Sequence, residues 1–188
     1  MTDHRTVPGI DTSTRVVATA AVGVAVEAGM LFRFGWAPPL GAYLCFGTAA
    51  TVVSATDLAA RRVPNRVVFP GLVAGGALLA LASGLDGAWW PLARAGIAAV
   101  VLAGSYLALG LVFPSGMGMG DVKWAAMVGI FLGWLGWAAV VTGTLLAFVA
   151  AALAVMVLRI AGRAPRGLAL PMAPFMTVGA LVAIWALR

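Results

Sequence analysis

Long uncharged stretches alternate along the chain with short segments that hold nearly all the charged residues. After a first apolar stretch that contains Glu27, the uncharged runs cover residues 34–56, 67–85, 95–120, 124–158 and 167–187. A helix needs about 20 apolar residues to cross a bilayer, so each run is long enough for a transmembrane span. The pattern therefore predicts a polytopic helical membrane protein.

The 124–158 run is too long for one span. As a single helix, its 35 residues would extend about 52 Å, whereas the hydrocarbon core of a bilayer is about 30 Å thick. We expect a break at 133–137, which contains two glycines, or at 142–144. The prediction is then seven spans, near 16–33, 39–57, 67–85, 93–113, 121–135, 138–159 and 169–187.

The predicted organisation is all-α, with one membrane domain. Residues 1–15 form a cytoplasmic N-terminal tail, and residues 16–188 form a single helical transmembrane domain. The core of this domain, about 39–187, contains six spans, and the N-terminal span precedes it. The first apolar stretch is longer than a typical signal-peptide core and contains Glu27, so we interpret it as a retained span.

Composition agrees with this picture and removes other classes of protein. Apolar residues make up 63% of the 188 residues and charged residues 10%, and the mean hydropathy is +1.05. Soluble domains and disordered chains are much richer in charge. A formal net charge of +6 would suggest nucleic acid for a soluble protein. In a membrane protein, basic loops that face anionic lipid are the better interpretation, and no nucleic acid partner is expected.

The basic residues predict the orientation in the membrane. Seven alternating spans place nine basic residues on the side of the N-terminus and three on the other side. Because cytoplasmic loops carry the excess of Lys and Arg, the N-terminus is predicted in the cytoplasm. The nine are Arg5, Arg15, Arg61, Arg62, Arg66, Lys123, Arg159, Arg163 and Arg166, and the three are Arg33, Arg94 and Arg188.

The chain offers few residues for metal binding or nucleophilic catalysis. Cys45 is the only cysteine and His4 is the only histidine. A disulfide within the chain, a cysteine-rich zinc site and a catalytic triad with histidine are therefore not expected. We predict neither a cofactor nor a metal.

The six acidic residues can be considered one by one. Asp3 and Asp11 lie in the polar tail, and Asp86 lies in a predicted loop. Glu27 lies inside the first span, where an ionisable group is costly, and Arg33 is its candidate partner.

Asp57 and Asp121 differ from these because the predicted topology places both at the cytoplasmic face. Asp57 ends the second predicted span, and Asp121 begins the fifth. Two carboxylates that meet at one membrane depth suit an aspartic peptidase, in which one ionised carboxylate activates water and the protonated one donates to the scissile carbonyl. Two structural explanations stay open: Asp121 caps the fifth helix, or Asp57 pairs with Arg61 four residues later.

The segment before Asp121 is rich in glycine. Gly116, Gly118 and Gly120 leave little side chain there, so an extended substrate could approach the backbone closely. A flexible connector is the alternative. Lys123 is two residues beyond Asp121 and points away from it on a helix, so we expect it to contact lipid phosphate or a loop.

The segment after Asp57 contains a predicted turn. Proline disfavours helical structure at the residue before it, so Pro64 ends the helical pattern at Val63. Pro64 and Asn65 are therefore expected to turn the chain into the third span.

At these residues the sequence resembles the type IV prepilin peptidase family. That family pairs an Asp, followed shortly by a Pro-Asn turn, with a distant Gly-x-Gly-Asp-x-Lys motif. Here the first element is Asp57 with Pro64-Asn65, and the second is residues 118–123. The segment 170–175 is similar to the family's late Pro-x-Gly-Pro-Phe stretch, with Ala173 in place of the glycine. The similarity covers roughly residues 40–187.

The resemblance implies a membrane aspartic endopeptidase that removes the basic leader of prepilins at the cytoplasmic face of the bacterial inner membrane. Asp57 and Asp121 would be its catalytic pair. Larger members also carry a methyltransferase domain with a four-cysteine zinc site, whereas this chain has only Cys45. It looks like the short form, similar to enzymes that process Flp-type (tight-adherence) pilins, and no methyltransferase activity is expected. The implied partners are prepilins, membrane lipid and the pilus-assembly machinery.

Two other functions stay open at this point. A transporter could use the two carboxylates as proton or cation sites, but it would need acidic residues near the middle of the bilayer, where only Glu27 lies. An inactive structural subunit of a pilus machine is the second, and it would not require intact Asp57 and Asp121.

Overall fold

The computed structural model describes residues 12–113, 117–162 and 170–187, and these residues form seven α-helices. The predicted all-α fold with seven helices is therefore confirmed. Candidate residues in the tail (Asp3, His4, Arg5 and Asp11) lie outside the described residues, as do Gly116, Arg163, Arg166 and Arg188. The helices are α1 (Thr12–Phe34), α2 (Leu40–Ala60), α3 (Asn65–Asp86), α4 (Trp90–Val112), α5 (Met119–Leu135), α6 (Trp137–Ile160) and α7 (Ala173–Ala186).

The helices differ in length. Five of them, α1 to α4 and α6, are long and apolar enough to cross a membrane. By contrast, α5 has 17 residues and α7 has 14, and α7 begins four residues later than the predicted seventh span. The long uncharged run breaks at Gly136, whose φ of 148° is open to glycine but strained for other residues. The alternative break at 142–144 is wrong, because those residues lie inside α6.

Short connections make the consecutive helices run in opposite directions, so the bundle has two ends. We call the end with residues 61–64, where α5 and α7 also begin, the near end. We call the end with residues 35–39, 87–89 and 136, where α5 and α7 finish, the far end. The near end contains the predicted site.

An aromatic cluster joins α2 to α5 in the core. Phe46 stacks on Trp124 at 5.8 Å between ring centroids and lies 4.7 Å from Phe131. The hydroxyl of Tyr43 donates a 2.8 Å hydrogen bond to the carbonyl of Phe131. All four side chains are fully buried. This seam holds the two helices that carry Asp57 and Asp121 at a set distance and rotation.

Glycines allow α4 and α5 to pack backbone to backbone. A Cβ on Gly129 would lie 2.7 Å from the carbonyl oxygen of Ala98, and a Cβ on Gly133 would lie 2.9 Å from the Cα of Ala95. Real side chains do not approach so closely. Small residues at a four-residue spacing are a common way for membrane helices to meet.

The N-terminal helix α1 lies along α2, and Glu27 faces that contact. The carboxylate of Glu27 accepts a 2.8 Å hydrogen bond from the hydroxyl of Thr48. The expectation that Arg33 pairs with Glu27 is wrong, because the guanidinium of Arg33 binds backbone carbonyls at the end of α7. Those carbonyls carry the negative end of a helix dipole and attract a cation.

Candidate active site

Asp57 lies in the last turn of α2 and is buried, with 5% of its surface exposed. Its Oδ2 accepts a 3.1 Å hydrogen bond from the backbone N–H of Ala173, the first residue of α7. A helix N-terminus has unpaired N–H groups and a positive partial charge, so it is a natural holder of a carboxylate. The beginning of α7 therefore fixes the orientation of Asp57.

The chain leaves α2 through a residue in an unusual conformation. Arg61 caps the helix with φ 51° and ψ 44°, the only non-glycine residue with positive φ among those described. Its backbone N–H binds the carbonyl of Asp57 at 2.8 Å. Within the described residues, no hydrogen bond joins its guanidinium to Asp57, but its positive charge still acts on that carboxylate. The hydrogen bond from Ala173 therefore fixes the orientation of Asp57, and Arg61 adds a charge interaction.

Asp121 is the third residue of α5. The N-cap of this helix is Gly118, and Asp121 caps the helix from its third position, so the capping explanation is confirmed and stays open beside a catalytic role. Oδ2 of Asp121 accepts a 3.0 Å hydrogen bond from the N–H of Gly118, and the N–H of Asp121 donates to the carbonyl of Gly118 at 3.0 Å. This is the return half of a capping box, which fixes the carboxylate against its own helix start.

A close contact joins the beginning of α5 to the α2–α3 loop. A Cβ on Gly120 would lie 3.0 Å from the Cβ of Val63. The missing side chain at Gly120 therefore lets the two segments that carry the aspartates approach each other. Gly118 is less crowded, since its nearest contact would be 3.8 Å, to Asp121.

Lys123 adds a second tie across the same gap. Its Nζ donates a 3.1 Å hydrogen bond to Oδ1 of Asn65 and lies 5.5 Å from the centre of the Phe69 ring. Both contacts are with the beginning of α3 and not with a loop, so the expected loop contact is wrong. Pro64 is the N-cap of α3 and Asn65 its first residue, so the predicted turn is confirmed.

One cavity of about 460 Å³ at the near end collects these groups. Seven of the residues singled out from the sequence line it, Gly116 lies outside the described residues, and three further residues were missed. Those predicted are Asp57, Pro64, Asn65, Gly118, Gly120, Asp121 and Lys123; those missed are Arg61, Arg62 and Val63. The sequence signal for Arg61 and Arg62 was present, since they stand between Asp57 and Pro64.

The two aspartates are held in the same way. In each, Oδ2 accepts a hydrogen bond from a backbone N–H at the start of a short helix. Oδ1 of each makes no hydrogen bond to another described residue, so it remains available for water or substrate. Among the described residues, no group of three or more His, Cys, Asp or Glu side chains lies together as a metal site. Both carboxylates line the same cavity, each with one oxygen free of hydrogen bonds to described residues.

The contribution of Ala173 was also missed. It comes from a backbone N–H, which carries no side-chain signature. The available signal was the stretch 170–175, in which two prolines flank a helix start.

Comparison with known proteins gives one family match. The model of the type IV leader peptidase family matches residues 43–160, more than half of the chain and a range that includes both Asp57 and Asp121. Neither the curated proteins nor the solved structures gave a significant match to this chain.

Proposed function

The chain belongs to the type IV leader peptidase family, and from this premise we propose that it is a membrane aspartic endopeptidase that cleaves the basic leader of Flp-like prepilins. The observation that carries the proposal is the shared cavity, which both Asp57 of α2 and Asp121 of α5 line although 64 positions separate them in the chain. Two carboxylates in one cavity provide the base and the acid that amide hydrolysis needs.

Hydrolysis would proceed through a water molecule between the two Oδ1 atoms. The ionised carboxylate takes a proton from this water as its oxygen attacks the scissile carbonyl carbon, and the protonated carboxyl gives its proton to the carbonyl oxygen. The C–N bond then breaks as the nitrogen receives the proton from the first carboxylate, and the second carboxylate recovers its proton from one hydroxyl of the tetrahedral intermediate, which becomes the new carboxylic acid. The N–H groups of Gly118 and Ala173 keep both carboxylates in place throughout.

The charge distribution supports a cytoplasmic position for the site. Arg61, Arg62 and Lys123 line the cavity, and Arg66 follows within the first turn of α3. Basic residues concentrate on the cytoplasmic side of bacterial membrane proteins. We therefore propose that the near end faces the cytoplasm, where the leader of a membrane-anchored prepilin would reach it. Cys45 alone cannot form a four-cysteine zinc site, so the proposal does not include N-methylation by this chain.

A leader-cleavage assay tests the proposal directly. A tagged prepilin encoded in the same genome is co-expressed with the parent protein, with Asp57→Asn or with Asp121→Asn. Asparagine keeps the size of the side chain but cannot act as base or acid, so we expect each substitution to lower cleavage about a hundredfold or more. The mass of the pilin reports cleavage.

Asp86→Asn is the matched control, because Asp86 ends α3 at the far end and lies outside the cavity. This variant should cleave at the parent rate. Cleavage that survives both Asp57→Asn and Asp121→Asn would assign the two aspartates to helix stabilisation and remove them from the mechanism.

A further inference from the structure

The two helices that hold the catalytic carboxylates are also the two shortest. At 1.5 Å per residue, α5 extends about 25 Å and α7 about 21 Å, less than the hydrocarbon thickness of about 30 Å. A helix that ends below the membrane surface leaves its last carbonyls without water, and each unpaired carbonyl there costs several kcal/mol, about 2–7 by transfer measurements. The last carbonyls of such a helix need internal donors wherever the helix ends inside the bilayer.

Arg94 supplies these donors for α5. Its Nε donates to the carbonyl of Gly133 at 2.7 Å, and one Nη donates to that of Trp134 at 2.6 Å. The N–H of Gly136 pairs with the carbonyl of Leu132 at 3.0 Å. Arg94 lies near the N-terminus of α4, where the helix dipole disfavours a cation. Its position is thus explained by α5 and not by its own helix.

Arg33 does the same for α7. From the last turn of α1, its Nε donates to the carbonyl of Ile184 at 3.0 Å and one Nη to that of Leu187 at 2.9 Å. Both guanidinium groups are half-buried. A long basic side chain that only marked topology would extend towards water, whereas these two are turned onto backbone carbonyls.

Each short helix therefore joins one aspartate to one arginine. In α5, the near end holds Asp121 and the far end binds Arg94. In α7, the near end holds Asp57 and the far end binds Arg33. We propose that Arg94 and Arg33 are positioning residues that fix α5 and α7 along their axes, so that the two carboxylates stay at one level. The proposal rests on the catalytic role proposed above for the aspartates.

The first test separates chemistry from binding. Steady-state cleavage is measured with purified Arg94→Gln, Arg94→Lys and the control Arg159→Gln, per amount of correctly inserted protein. A misplacement of 1 Å costs about a hundredfold in rate, so we expect kcat of Arg94→Gln to fall about tenfold or more while KM is unchanged. Lysine keeps a cation with donors and should restore part of kcat. Arg159 is exposed in the last turn of α6, and its substitution should change neither constant.

The second test measures the position of α5 without any activity. Met119→Cys is introduced at the exposed first residue of α5, in a Cys45→Ala background. A membrane-impermeant thiol reagent is then added from the near side. Without Arg94, the unpaired carbonyls draw the far end of α5 towards water, so the introduced thiol moves deeper and should react severalfold more slowly. The same measurement with Arg159→Gln should give the parent rate.

The outcomes distinguish the two proposals. Slower labelling with a parent that cleaves no prepilin would support the positioning role and contradict the proposed peptidase. Unchanged labelling together with unchanged kcat in Arg94→Gln would overturn the positioning role even if the parent is active. Should Arg94→Gln fail to insert, Arg33→Gln carries the kinetic test through α7: a parent kcat in this variant, at reduced thermal stability, would also overturn it.

Discussion

Helices α5 and α7 are bound by side chains of opposite charge at the near and far ends of the bundle. At the near end, backbone N–H groups at the starts of α5 and α7 bind the carboxylates of Asp121 and Asp57. At the far end, the guanidinium groups of Arg94 and Arg33 bind carbonyls where these helices finish. Each charge matches the sign of the helix dipole that it meets. The partial charges at the two ends of a short membrane helix therefore determine which charged side chains can bind at each end.

The two ends differ in what remains available for chemistry. At the far end, the arginines direct their donors into the protein. The glycines of α5 let its backbone pack directly against that of α4 there. Each aspartate uses only Oδ2 in its structural contact, and the cavity of about 460 Å³ opens beside it. A charged side chain bound to a helix end therefore buries its polar atoms at the far end. At the near end, the same type of contact leaves Oδ1 of each aspartate free to react. Substitutions at one end at a time can test this difference.

The largest effect beyond the aspartates is expected from Gly133→Ala at the far end. The new Cβ would lie 2.9 Å from the Cα of Ala95 and 3.1 Å from the carbonyl oxygen of Arg94, and backbone atoms cannot turn aside. Overpacking of this kind costs about 1–3 kcal/mol. We expect a clear loss of thermal stability and, because the Arg94 contact moves as well, a loss of cleavage.

Gly104→Ala serves as the control for this prediction. It places the same methyl group on α4, where nothing lies within 4 Å, and alanine favours helix over glycine. Its melting temperature should equal or exceed that of the parent. If Gly133→Ala melted like the parent, the tight α4–α5 contact would not hold the far end.

A smaller and more local effect is expected from Gly120→Ala at the near end. The methyl group would press on Val63 and push the start of α5 away from the α2–α3 loop. We expect kcat to fall about tenfold, because the aspartates separate, with little change in thermal stability.

Relief of the contact should restore the activity. Val63→Gly, combined with Gly120→Ala, removes the Cβ that lies 3.0 Å away. Gly118→Ala is the matched single control, since its nearest contact is an ordinary 3.8 Å. Equal losses in Gly118→Ala and Gly120→Ala would instead favour a general requirement for glycine, such as close approach of the substrate.

The smallest effect is expected from Lys123→Met, which keeps an unbranched side chain but removes the hydrogen bond to Asn65 and the charge beside Phe69. The two contacts are exposed, and each is worth about 0.5–1 kcal/mol. Cleavage should fall only a few-fold.

A double-mutant cycle with Asn65→Ala measures the part that belongs to the hydrogen bond. The losses from Lys123→Met and Asn65→Ala should be less than additive, because both remove the same bond. Strictly additive losses would mean that Lys123 acts on the substrate or on lipid and not through its hydrogen bond to α3.

Most of the helices could be predicted because a membrane span has a required length and little charge. The break at Gly136 followed from the excess length of one uncharged run, and the turn at Pro64 followed from the backbone of proline. Asp57 and Asp121 could be selected because few acidic residues exist and only these two flank spans at one side. Their placement in one cavity agrees with that selection, and their catalytic role remains the proposal to be tested.

Other parts of the site could not be predicted, because backbone atoms form them. The N–H of Ala173 and the carbonyls of Gly133 and Ile184 have no signature in the side-chain pattern. From the sequence, Arg33 and Arg94 were interpreted only as two of the three basic residues on the side of the membrane opposite the N-terminus. Arg33 was also wrongly paired with Glu27. From the sequence, the missing side chain of Gly120 was expected to leave room for a substrate. In the structure, the side chain of Val63 lies 3.0 Å from where a Cβ of residue 120 would be.

The sequence by itself determined the class of the protein, the order of its helices and the residues able to do acid–base chemistry, because hydropathy and charge act locally along the chain. Only the tertiary structure decided which helix ends meet these residues. The pairing of Asp57 with α7 spans 116 positions, and that of Arg33 with α7 spans more than 150. Such contacts depend on where two short helices finish within the bundle. That depth is set by packing and by the need to pair every buried carbonyl.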